Sequence, residues 1–163
     1  MHNTLKFSAL ALTLIATAAS AQAVRTEKNI SLELANQIAS ASVAACAANG
    51  HAVAATVVDR AGTIRAIQRA DNAGPHTLAS SQQKAYTSAS AKNTTLAMMD
   101  GAQKNPAAAN LVYLPGFLLL GGGVPIKVGN ETIGAVGIGG APGGHLDEQC
   151  AMVALDKVKD QLK

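Results

Sequence analysis

Two β-hairpin signals, set on either side of a long Ala/Ser/Gln-rich stretch, restrict the fold of this chain more than any other feature. The first joins residues 52–58 (AVAATVV), a continuous apolar run, to residues 63–69 (TIRAIQR) through the turn Asp59-Arg60-Ala61-Gly62. The second joins residues 124–128 to 131–138 across Gly129-Asn130, two residue types that tolerate the positive φ of a tight hairpin turn. Between them, residues 77–92 contain no breaker and predict a helix, and residues 94–103 a shorter one before Asn105-Pro106. Residues 107–123 are apolar, end in three glycines and fit no single pattern. An opening helix starts at Ser31, carries Leu34, Ile38, Ala41 and Ala45 at helical spacing, and stops at Asn49-Gly50. A last helix starts near Leu146 after the glycine-rich residues 139–144, with Leu146, Cys150, Val153, Val158 and Leu162 on or near its apolar face. The order helix, hairpin, helices, hairpin, helix predicts a single α+β domain: a central antiparallel sheet of about five strands flanked by helices.

Ahead of that domain, residues 1–23 read as a cleavable export signal. Lys6 gives a basic start, residues 7–16 (FSALALTLIA) a mostly apolar core, and Ala19-Ser20-Ala21 and Ala21-Gln22-Ala23 are both A-x-A cleavage patterns. The apolar run is shorter than the roughly 20 residues that span a bilayer. Cleavage after Ala21 or Ala23 is equally compatible with the pattern, and the domain proper is expected at 24–163, in the periplasm or secreted. Without Lys6 the 13 basic residues fall to 12 against 10 acidic ones, and the net charge from +3 to +2. The basic residues are scattered, and Phe7, Tyr86, Tyr113 and Phe117 are the only aromatics. Nucleic-acid binding therefore has neither an electrostatic nor a stacking basis. Cys46 and Cys150 are the only cysteines. In an oxidising compartment they read as one disulfide, and two buried small hydrophobes are the competing reading.

The glycine-rich stretches do not form a nucleotide site. A phosphate-binding loop needs Gly-Lys followed by Ser or Thr, and the chain has no Gly-Lys pair. A dinucleotide fingerprint begun at Gly137-x-Gly139 would need glycine where Pro142 stands. The glycines instead read as sites of close backbone approach. No G-x-S-x-G elbow marks a serine nucleophile. His145, Asp147, Glu148 and Cys150 cluster at the start of the last helix, but their spacing matches no zinc-ligand pattern, and the two acids suit a helix's first turn.

Residues 69–77 (RADNAGPHT) are more informative. They place a cation, a carboxylate and an imidazole in a loop that leads into the helix carrying Lys84 and Tyr86. Imidazole is a usual axial ligand of haem iron and phenolate a rarer one, and Arg or Lys can pair with carboxylates such as haem propionates.

The stretches 52–62, 69–89 and 115–151, with the Ala-rich first helix, resemble the GlcG/HbpS-type haem-binding proteins, also called the haem-degrading or PduO C-terminal-like domain. The most specific matches are R-x-D…K-A-x-T, with Arg69, Asp71, Lys84, Ala85 and Thr87, and GG-x-P-I…G-A-x-G-x-x-G followed by Asp147-Glu148. The resemblance implies an α+β domain with an antiparallel sheet, homo-oligomers, and non-covalent haem binding by exported members. It implies no uniform catalytic activity. His76 becomes the leading iron ligand, with His145 as a second; Arg69 and Lys84 are the expected propionate contacts, and Tyr86 lies near the pocket. The expected function is extracytoplasmic haem binding for storage, transport or sensing, with a membrane sensor or transporter as partner. The alternatives are an enzyme converting a small molecule with His76, Lys84 and Asp71, or a sensory partner protein without haem.

Overall fold

The apolar run at 52–58 becomes the strand β1 (Ala54–Asp59), and all six of its residues are buried. A strand reads as continuously apolar when both its faces are covered, and helices cover both here. The computed structural model describes residues 24–163, so the export segment expected at 1–23 lies outside the described residues. Among the described residues there are four strands rather than about five: β1, β2 (Ile64–Arg69), β3 (Gly123–Val128) and β4 (Glu131–Gly139). They make one sheet in the order β2-β1-β4-β3, with every neighbouring pair antiparallel. The two hairpins thus lie side by side, joined through β1 and β4. At the second turn only Gly129 takes a positive φ, +59°.

The helices are α1 (Leu32–Ala47), α2 (His76–Ala91), α3 (Thr95–Lys104), the short α4 (Pro106–Ala109) and α5 (Gly144–Lys157). Ser31 caps α1, its hydroxyl accepting from the Leu34 N–H at 3.2 Å. The unassigned residues 107–123 hold the rest of α4, a 3₁₀ turn (Asn110–Tyr113) and an irregular approach to β3.

Alternation along the strands sorts the core into two sides. Ala55 and Val57 of β1, with Val136 and Ile138 of β4, pack with Leu34 and Ile38 of α1 and Ala151 of α5. On the other side Val58 and Ala135 meet Ala85 and Ala89 of α2, and the Thr56 hydroxyl shares a 2.8 Å hydrogen bond with Ser81 Oγ. The domain is three layers deep: α2, the sheet, then α1 with α5. Gly137 sets the first spacing, because a Cβ there would fall on the Ser81 carbonyl and the Ala85 nitrogen. Across the last layer Cys46 and Cys150 form a disulfide between α1 and α5, 104 residues apart. The buried side of α5 is made of Asp147, Cys150, Ala151 and Ala154. Small residues let α5 lie close on α1, and Val153, expected on the packed face, is 48% exposed instead.

Candidate functional site

The helix α2 rests over β1 and β4 and leaves the same side of the edge strand β2 uncovered. Ile67 pairs with Thr56 and Ile64 with Val58, and both partners face α2, so both isoleucines lie on the helix side of the sheet. They are 37% and 47% exposed, and together they form an apolar strip beside the helix. The exposed residues along α2 include His76, Ala79, Gln83 and Tyr86, and of these Gln83 and Tyr86 line a pocket with Ile64. Ile64 of the strip, with Gln82, Gln83 and Tyr86 of α2, bounds a groove towards the far end of the helix.

Arg69 ends β2 and His76 begins α2, at one end of the helix, joined by the loop 70–75. The Arg69 guanidinium donates to the Ala73 carbonyl and closes the loop 70–75, in which Asn72 takes a positive φ of 62°. The His76 imidazole folds back over Gly74, where a Cβ would lie 2.8 Å from its Cε1. Both side chains are exposed, as is Asp71 in the same loop. At the other end, about 15 Å along the helix, the Tyr86 ring lies between Gly62 and Gly116. It meets Phe117 edge-on at 6.1 Å. A pocket of about 220 Å³ opens beside it, walled by Val58, Ile64, Gln82, Gln83 and Pro115. Arg69, His76 and Tyr86, all expected at the site, are exposed, and Tyr86 lines the pocket with Ile64.

Lys84 does not join them. It lies on the buried side of α2, two turns on from His76, and is 1% exposed. Its ammonium donates to the Ile138 carbonyl at 2.9 Å and to Asp147 Oδ2 at 2.7 Å. The lysine passes the end of the β3–β4 ladder to reach a helix in the opposite layer. Gly122 (φ +122°) keeps that passage open, since a Cβ there would lie 3.0 Å from Nζ and 2.7 Å from the Asp147 Cβ. Asp147 is 2% exposed and also accepts the Ala141 N–H at 3.0 Å. Burial pushes its carboxyl above the ordinary aspartate range, opposed by the charge and hydrogen bond of Lys84. The Lys84 ammonium is thus committed to Asp147 and enclosed, and the trio His76, Lys84 and Asp71 is not assembled around a common point.

His145 stands elsewhere. It opens α5, its imidazole folded over Gly143, at the rim of a cleft of about 500 Å³ between α5, the end of α1 and the start of α3. Leu96, Met152 and Val153 line the cleft with Glu148, and Cys150 lies at its floor. Burial raises the Glu148 carboxyl, while the Leu96 N–H and the Thr94 hydroxyl favour its charged form. His145 and His76 therefore serve different surfaces. Among the described residues no group of three or more His, Cys, Asp or Glu side chains is arranged to hold a metal ion.

Sequence reasoning missed the two isoleucines as a site element and Asp147 as the partner of Lys84. The first could have been found from the pairing of β2 at a sheet edge. The second had no local signal, since an acid in a helix's first turn is accounted for by the helix dipole alone.

The profile of the family described as "Haem degrading protein HbpS-like" matches residues 30–156. Protein GlcG of Escherichia coli (strain K12) is 31% identical over 115 residues, covering 71% of this chain and 84% of GlcG. A double mutant of Streptomyces reticuli HbpS superposes with a TM-score of 0.78 at 32% identity, over 90% of this chain and 98% of that one. PduOC, solved in complex with haem, shares the fold with a TM-score of 0.70 at 23% identity, over 78% of this chain and 94% of that one.

Proposed function

The chain belongs to the HbpS-like family, and from that premise we propose that it binds haem non-covalently in the groove between α2 and β2. What supports this reading is an exposed imidazole at the start of α2 and an exposed guanidinium at the end of β2, on the strand that carries the two uncovered isoleucines. Haem requires those three things of a protein: an axial donor, a cation for its propionates and an apolar face. His76 is the axial ligand in this reading, Arg69 the propionate partner, and Ile64, Ile67 and the Tyr86 ring the apolar contacts. Haem bound there would supply an iron centre, with His76 as its ligand and Arg69 as the cation for a propionate.

His145 is the weaker ligand for an electrostatic reason. The residues lining its cleft include Glu148 and no Lys or Arg, so the two anionic propionates would meet a carboxylate without a compensating cation. The export segment expected at 1–23 places the activity outside the cytoplasm, as a haem carrier, store or sensor component. A disulfide suits that compartment. The groove lies open along the sheet edge, which fits a homo-oligomer or a membrane sensor or transporter as the partner that covers bound haem.

Haemin titration of the purified protein tests the proposal. A Soret shift is expected at micromolar protein, reduced in His76→Ala, weakened about tenfold in Arg69→Ala by loss of a charge-assisted hydrogen bond, and retained in His145→Ala. Absence of any Soret shift overturns haem binding; loss in His145→Ala with retention in His76→Ala moves the haem to the other cleft.

A further inference from the structure

The cleft bearing His145 has more than twice the volume of the pocket beside Tyr86, about 500 against about 220 Å³, and shares no residue with the α2/β2 groove. Its hydrocarbon comes from Leu96 of α3 and from Met152 and Val153 of α5. Met152 and Val153 are 54% and 48% exposed. Its charge is of one sign. Glu148 is the only Asp, Glu, Lys or Arg among the lining residues, and Asp100 of α3 stands near enough to act on it as a second negative charge. One oxygen of the Glu148 carboxylate, Oε2, is buried with no hydrogen-bond partner.

We infer that this cleft binds an organic cation with a hydrocarbon body, an alkylamine or alkylguanidine, its charge held by Glu148 and its body by Leu96, Met152 and Val153. An anion of the same size would face the Glu148 carboxylate. A neutral molecule would gain the apolar contacts and leave the charge of the carboxylate without a counterion. A cation satisfies both halves of the cleft, because a charge-assisted hydrogen bond to a partly buried carboxylate is stronger than a neutral one. The chain as a whole carries a net positive charge, so the local acidity belongs to this cleft and not to the protein's average field. The inference does not depend on haem binding in the groove.

Hexylammonium is the probe, titrated into the purified protein and followed by amide chemical shifts, with hexanoate and hexanol as matched anion and neutral analogues. Saturable shifts are expected at Leu96, Gln149, Met152 and Val153 with hexylammonium, and binding at least about tenfold weaker for either analogue. Glu148→Gln is expected to weaken hexylammonium about tenfold, the scale of one charge-assisted hydrogen bond, and to bring it level with hexanol. Asp100→Asn, which removes only the more distant charge, is expected to weaken it about twofold to threefold. Equal binding of hexanoate or hexanol to the native protein overturns the inference, as does hexylammonium binding unchanged in Glu148→Gln. Should Glu148→Gln fail to fold, Val153→Ala, which trims an exposed wall of the cleft, and the comparison of analogues on the native protein decide it. Shifts confined to residues outside the cleft also overturn it.

Discussion

Lys84 and Asp147 show how a single pair can look functional in the sequence and prove architectural in the fold. A lysine in a recurrent K-A-x-T pattern invites a ligand, and an acid in a helix's first turn invites a dipole argument. In the structure they satisfy each other at 2.7 Å in the interior, and the Ile138 carbonyl and the Ala141 N–H take up further bonds. Removing one partner strands the other as a buried charge. Lys84→Met is accordingly expected to lower stability by about 3–5 kcal/mol, and Lys84→Met with Asp147→Leu to recover most of that loss, both read from urea unfolding. Glu148 gives a second test at this scale. Burial holds its carboxyl above the ordinary glutamate value, so the folded chain binds that proton more tightly than the unfolded chain. Its contribution is fully present below the unfolded value and falls as pH rises from there through the raised folded value, then levels off. Glu148→Gln should flatten this part of a stability–pH curve; an unaltered slope would assign the decline to other groups.

At the scale of elements, the glycines of β4 decide how near α2 can sit. Gly137 faces the helix backbone at a distance that admits no side chain. Gly137→Ala must push α2 off the sheet, and overpacking of this kind costs about 3 kcal/mol at its upper range. The contrasting position is Gly101 in α3, where a Cβ would meet nothing within 4 Å. Gly101→Ala is expected to stabilise by about 0.5–1 kcal/mol, since it removes only the entropy penalty of glycine in a helix. Paired thermal unfolding of the two variants separates crowding from propensity, and equal shifts of the same sign would refute the distinction. The same placement of α2 over β1 and β4, not β2, leaves Ile64 and Ile67 open and creates the groove.

At the scale of the molecule, the sheet separates two unlike surfaces. The α2 side presents an imidazole, a guanidinium and an apolar strip; the α1–α5 side presents an apolar cleft with a carboxylate. Each suits a ligand of opposite charge to the other. The Cys46–Cys150 bridge closes a loop of 104 residues on the second side, so it restricts most of the chain when unfolded. Replacing both cysteines by alanine is expected to cost about 2–5 kcal/mol, measured by chemical denaturation against the intact protein. A loss well below that range would mean that α1 and α5 are held chiefly by packing.

The sequence by itself determined the fold class, the two hairpins, the capped start of α1 and the close-approach role of the glycines. Each of these rests on interactions within a few residues, or on an apolar pattern that reports burial directly. It also offered Arg69, His76 and Tyr86 as candidates, from one loop and the helix that follows it. What only the tertiary structure decided was which polar groups face solvent and which face one another. Helical spacing alone does not say that the Lys84 side of α2 is the covered one, nor that Gly122 opens a way from it to Asp147. Nor does it separate two histidines that each stand in a helix's first turn, two residues after a glycine. Their difference lies in the layer each helix joins: α2 on one face of the sheet for His76, and α5 with its cleft and Glu148 on the other for His145.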